Sequence, residues 1–134
     1  MTLAEAVVDA SVVVRGLTIE GDAADVLDRI AEGATVGHAP ELLVAEVSNA
    51  LALAVRTEGR SLGGAQSLFG LLAASPIKLH STAPLAPAAI ELAATSDLSA
   101  YDSFYAVLAA ALEVPLVTAD RRLAAAVPGT VRVA

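Results

Sequence analysis

The stretch VVDASVVV, residues 7–14, is a run of valines interrupted by Asp9 and Ser11. Valine is a strand former, so Val7-Val8 and Val12-Val13-Val14 taken together look like one buried strand. An ionised carboxylate in the middle of such a strand costs several kcal/mol unless something compensates it. The stretch therefore requires that the strand stop at Asp9, that Asp9 have a partner, or both. Each answer predicts a strand that ends in a functional or capping acid.

Outward from this stretch, short β-branched runs alternate with helical patterns. The sequence predicts strands at Ala6–Val8, Val36–His38 (ending at Pro40), Ile77–His80, Pro115–Thr118 and Val131–Val133. Between them it predicts helices at Ala23–Glu32, Glu41–Arg56 (stopped by Gly59), Leu85–Thr95, Ser99–Leu112 and Asp120–Val127, with one more running from a Ser61 cap to Ala74. Residues 10–22 receive no element in this reading. Five strands separated by helices imply βαβ units, hence a mostly parallel sheet covered on both faces, in a single domain over residues 1–134. Ligands bind such sheets beyond the carboxyl ends of the strands, where the strand order switches. Asp9 ends the first strand and Asp120 follows PLVTAD, so independent strands deliver two acids to one edge.

Composition narrows the classes. Of the 134 residues 31 are Ala, against two Phe, two Tyr and no Trp, so the core must be aliphatic. The longest stretch free of charged residues, Ser61–Ile77, contains Gly63, Gly64, Gln66 and Ser67 and is short for a membrane span. With Glu5 and Asp9 near the start and no basic leader, a secretory signal is not expected, and a cytoplasmic location is. The net charge of −7 is the wrong sign for a general nucleic-acid binder, but it suits a pocket filled by a cation.

Four acids recur at telling places. Asp9 and Asp120 each read as helix caps, and Ser99 with Asp102 fits a capping-box spacing. Glu46, with Leu42, Leu43, Asn49 and Ala50 as its helical neighbours, borders an apolar face, as does Asp102 beside Leu98, Ser99, Tyr105 and Ala106. Partly buried carboxylates take up a proton or find a cation. One divalent site explains all four, and all-oxygen ligands point to Mg²⁺ or Mn²⁺. Cysteine is absent, and His38 and His80 lack zinc-ligand spacing and read as ordinary strand-end residues. The lack of Trp argues against a sugar cleft, and Gly63-Gly64 forms no phosphate loop. Two other classes stay open: aspartate-based phosphotransfer on Asp9, with Lys78 as the catalytic lysine and Ser11 where a phosphatase wants a second Asp, and a non-catalytic acidic pocket for a basic partner.

VVDASVVV, ELLVAEVSNALAL, LSAYDSFYAVLAAAL and PLVTADRRL together resemble the four acidic motifs of PIN-domain ribonucleases, and especially of VapC-type toxins from bacterial toxin–antitoxin pairs. The resemblance spans residues 7–123, in the family's order and spacing. It implies a three-layer αβα sandwich with a central sheet of about five strands, and a Mg²⁺- or Mn²⁺-dependent endoribonuclease. On its terms Asp9, Glu46, Asp102 and Asp120 are catalytic. Asp9 and Asp102 bind metal directly, while Glu46 and Asp120 act through water or hold a second ion. Ser11, Asn49 and Thr118 are polar companions, Asn49 fixing Glu46. Arg15, Arg121 and Arg122 lie where substrate phosphate would pass. A cognate antitoxin with a basic C-terminal arm, an RNA substrate and a homodimer are the expected partners.

Overall fold

In the computed structural model, which describes residues 3–134, five strands and seven α-helices alternate along the chain. The strands are β1 (Glu5–Val8), β2 (Val36–Pro40), β3 (Lys78–His80), β4 (Leu116–Thr118) and β5 (Val131–Arg132). The helices are α1 (Ala10–Thr18), α2 (Asp22–Ala31), α3 (Leu42–Thr57), α4 (Leu62–Ala74), α5 (Ala86–Ala94), α6 (Ala100–Leu112) and α7 (Arg121–Ala126). A 3-10 turn at Ala83–Leu85 leads into α5. The strands pair in the order β3-β2-β1-β4-β5, all in parallel. The chain leaves β1 toward β2 and β3 on one side and returns to β4 and β5 on the other. The switch in strand order therefore falls between β1 and β4.

Helix α1 packs against α2, α3 and α4, while α6 lies across β1, β2 and β4 with α5 beside it, so helices cover both faces. The core is aliphatic, as the composition requires: Val7, Val8, Val12, Val13, Leu43, Val47, Val117 and Leu123 are fully buried, and Tyr105 is the one aromatic among them. Among the described residues, no helix is long and apolar enough to cross a membrane.

Residues 10–22, without an element in the sequence reading, contain α1. Three consecutive valines cost a helix roughly 0.5 kcal/mol each in propensity. Two of them, Val12 and Val13, are fully buried, and full burial of a valine contributes roughly 1.5–3 kcal/mol. Burial wins, and the Asp9 cap starts the helix. The histidines also depart from the reading. His38 lies inside β2, buried, with Nδ1 2.9 Å from His80 Nε2 and Nε2 2.8 Å from Glu5 Oε2. This chain of hydrogen bonds ties β1, β2 and β3 together; only His80 ends its strand.

Gly16 sets the approach of α1 to α2. A Cβ there would meet Leu27 Cδ1 at 2.6 Å and the Ala23 carbonyl oxygen at 2.9 Å. Gly70, in the middle of α4, has nothing within 4 Å of the same position. One substitution should therefore have opposite signs at the two sites. Gly70→Ala is expected to stabilise by roughly 0.5–1 kcal/mol through helix propensity. Gly16→Ala should destabilise by about 1–3 kcal/mol, because the backbone carbonyl cannot yield as a side chain can. Denaturant melts of the two variants check this; a Gly16→Ala protein as stable as the parent would contradict the packing argument.

Candidate active site

Asp9 leaves the end of β1 and is 5% exposed. Its Oδ1 accepts from the Val12 N–H at 3.1 Å, the N-cap bond of α1, and from Ser11 Oγ at 2.6 Å. Its Oδ2 accepts from Thr118 Oγ1 at 2.5 Å. The two hydroxyls are tied to the far side of the switch point, Ser11 accepting from the Ala119 N–H at 2.9 Å and Thr118 from the Asp120 N–H at 3.0 Å. Asp9 is thus a helix cap and a cross-strand acceptor at once. Burial raises its pKa above the ordinary 3.8 despite these donors, and the charge of Asp102 pushes the same way.

Three more acids come from different elements. Glu46, one turn into α3, is half-buried, and its Oε1 accepts from the Tyr105 hydroxyl at 2.6 Å. Burial raises its pKa, and the charges of Asp102 and Asp9 add to the effect. Asp102 lies in the first turn of α6, where its N–H donates to the Ser99 cap at 3.1 Å. Its carboxylate does not close the capping box but accepts from Arg122 Nη2 at 3.1 Å. Burial raises its pKa and Asp120 adds to that, while Arg122 opposes both. Asp120 caps α7 through the N–H groups of Arg122 and Leu123. The four acids singled out from the sequence therefore share one electrostatic neighbourhood at the carboxyl edge of the sheet, beside the β1–β4 switch.

The polar companions divide. Ser11 and Thr118 hold Asp9 directly, whereas Asn49 is exposed and makes no hydrogen bond to Glu46. Tyr105 takes that place. Its signal was in the sequence: one helical turn after Asp102, it is a hydroxylated aromatic with Leu108 and Ala109 one turn further on, an apolar setting in which its hydroxyl needs a partner. Of the arginines, Arg122 reaches the acids, while Arg15 and Arg121 are exposed. Lys78 pairs in register with His38, which pairs with Val7. It therefore stands two strands from β1, roughly 9–10 Å away, and cannot serve a phosphoaspartate on Asp9.

The donor set fits a hard divalent cation. It is all oxygen and partly desolvated, and burial together with neighbouring carboxylate charge raises the pKa values of Asp9, Glu46 and Asp102, an effect that a cation would relieve. The chain's own guanidinium from Arg122 already occupies such a role at Asp102. Among the described residues no three His, Cys, Asp or Glu side chains form a ready-made cage.

Comparison with known proteins agrees with this geometry. The PIN domain family matches residues 6–127. Ribonuclease VapC1 of Mycobacterium tuberculosis is 40% identical over 127 residues, covering 93% of this chain and 92% of that one. Among solved structures, PAE2754 from Pyrobaculum aerophilum superposes with a TM-score of 0.75 at 26% identity, over 97% of this chain and 91% of that one. VapBC2 from Rickettsia felis, bound to a DNA fragment from their promoter, gives 0.68 at 15% identity, over 96% of both chains, a likeness of fold alone. Matched by the PIN model over most of its length and 40% identical to a VapC ribonuclease, the chain belongs to the PIN-domain family, in its VapC-type branch.

Proposed function

We propose that the protein is a Mg²⁺- or Mn²⁺-dependent endoribonuclease and the toxin of a toxin–antitoxin pair. The observation that carries this reading is the desolvated, mutually repelling group of Asp9, Glu46, Asp102 and Asp120 at the β1–β4 switch. The ribonuclease relative of almost the same length supports it. Asp9 and Asp102 hold the ion, while Glu46 and Asp120 bind through water or hold a second one. A bound divalent ion lowers the pKa of water and relieves charge on the phosphoryl group. Ser11 and Thr118 keep both Asp9 oxygens aimed, and Tyr105 keeps Glu46 aimed. Arg122, 61% exposed at its side chain, is free to exchange Asp102 for a substrate phosphate.

The partner in this reading is an antitoxin whose basic C-terminal arm enters the acid cluster. The contact between Arg122 and Asp102 supports it, because a guanidinium matches a carboxylate in geometry. A cytoplasmic setting follows from the RNA substrate. The protein is also proposed to be a homodimer, since Leu62, Leu71, Ile90 and Tyr101 are each more than 60% exposed. Light scattering should report two copies at micromolar concentration, and a monomer throughout that range would overturn the dimer.

Purified protein should cut single-stranded or looped RNA with Mg²⁺ or Mn²⁺ and stop in EDTA. Asp9→Asn keeps an amide able to cap α1 but removes the charge that holds the ion. Cleavage should fall by more than about 100-fold, beyond what the loss of an outer-shell partner costs. RNA left intact across a metal series, or an Asp9→Asn protein that cuts like wild type, would refute the reading.

The raised pKa values give a pH dependence with a definite sign. Asp9, Glu46 and Asp102 release protons at higher pH in the folded chain than in the unfolded one. Below the ordinary values of 3.8 for Asp and 4.5 for Glu both states are protonated, and the fold is unpenalised. As pH rises through the raised values the unfolded chain ionises first, so stability falls. In EDTA, the melting temperature attributable to these groups should therefore decline from about pH 4 toward neutrality. Asp9→Asn should decline less, so its advantage over wild type grows with pH, and Mg²⁺ should stabilise wild type more than the variant. Melts of both proteins across this range check it; a difference independent of pH would contradict the charge argument.

A further inference from the structure

We propose that Tyr105 is the positioning residue for Glu46: its hydroxyl fixes one carboxylate oxygen so that the other faces the ion and water of the acid cluster. This rests on the metal-dependent reading above and gives a role to a residue that stands within the third acidic motif but is not one of its acids or their polar companions. Glu46 accepts one side-chain hydrogen bond, from Tyr105 at 2.6 Å. Asp9 has three donors and Asp120 two backbone ones, so their orientation survives the loss of one. Glu46 has no such reserve.

The ring is 1% exposed and its packing needs no hydroxyl; a phenylalanine would fill the same space. A buried hydroxyl costs free energy unless it is bonded, and here the acceptor is itself a half-buried carboxylate beside two other charges. Phenylalanine against a residue other than glutamate would be the cheaper core. What the hydroxyl does is hold α3 to α6 at the sheet edge. Asp102 and Tyr105 stand one turn apart on α6, on the same face. The pair therefore sets where Glu46 lies relative to Asp102 as one rigid unit. Burial, reinforced by the Glu46 charge, pushes the phenol pKa far up, so the hydroxyl stays a donor across the working pH range.

The test is a double-mutant cycle of Tyr105→Phe and Glu46→Ala, read on two quantities. One is the Mg²⁺ or Mn²⁺ concentration giving half-maximal RNA cleavage; the other is the rise in melting temperature from EDTA to Mg²⁺, which needs no substrate. Tyr105→Phe is expected to raise the half-maximal concentration about tenfold or more and to shrink the Mg²⁺-induced rise. In the Glu46→Ala background the same change should leave the Mg²⁺-induced rise where it was, because the residue it acts through is gone. An unchanged half-point and unchanged rise in the single variant would overturn the proposal. So would a further loss in the Glu46→Ala background, which can be read even if Tyr105→Phe alone fails to fold. If wild type cuts no RNA in any metal, the ribonuclease reading fails; if wild type cuts and Tyr105→Phe matches it, only the role of Tyr105 fails.

Discussion

A buried carboxylate at the switch in strand order is the constraint around which the rest of the chain is arranged. Asp9 lies where β1 and β4 part, almost wholly buried, and a lone charge there costs several kcal/mol. The chain meets that cost with donors from both sides: the Val12 N–H and Ser11 hydroxyl from α1, and the Thr118 hydroxyl from β4. Each of the two hydroxyls accepts a backbone N–H from the β4–α7 turn, so Asp9 also sets the path of that turn. Fixing this one side chain thus joins β1, the start of α1 and the turn that carries Asp120. Even so burial outweighs the donors and leaves its pKa raised, with the Asp102 charge adding to the effect.

The two helical acids reach the same edge from opposite layers. Helix α3 follows β2 and α6 precedes β4, so Glu46 and Asp102 approach Asp9 from different faces of the sheet. Packing alone would not select this arrangement, because it brings like charges together. It persists because the aliphatic core beneath, from Val7 and Val12 to Val117 and Leu123, is buried completely and supplies the stability that the edge gives up. Strain of this kind, concentrated at one place and compensated elsewhere, is how functional sites are recognised in folds that otherwise obey their rules.

Most of the architecture was legible because alternation of β-branched runs with Ala- and Leu-rich helices is a local signal. What was not legible has identifiable causes. Helix α1 escaped because Val12-Val13-Val14 satisfies strand propensity, and only the tertiary burial of Val12 and Val13 decides for a helix. For the acids, capping and function are not exclusive: Asp9 and Asp120 are both N-caps, as the plain reading had it, and both belong to the cluster. Asn49 was assigned to Glu46 by helical spacing, yet it faces solvent, and the partner came from another helix 59 residues away. The buried role of His38 depended likewise on which side chain stood across the neighbouring strands. Spacing along one helix reports neighbours within that helix, and contacts between layers leave no periodic trace.

The same charge distribution bears on how so acidic a chain handles a polyanion. With 8 basic against 15 acidic residues, long-range attraction cannot gather RNA as it does for basic binders. The positive charge that reaches the acids is that of Arg122, which is engaged with Asp102. A cation taken up by the carboxylates would change both facts at once. It would cancel the repulsion between the acids and the scissile phosphate, and it would release the guanidinium for a neighbouring phosphate. On the metal-dependent reading proposed above, affinity for substrate and chemical competence would then be conferred by the same event. A basic peptide arm competing for the acids would block both by the same electrostatics, because it satisfies the carboxylates without offering a vacant coordination position.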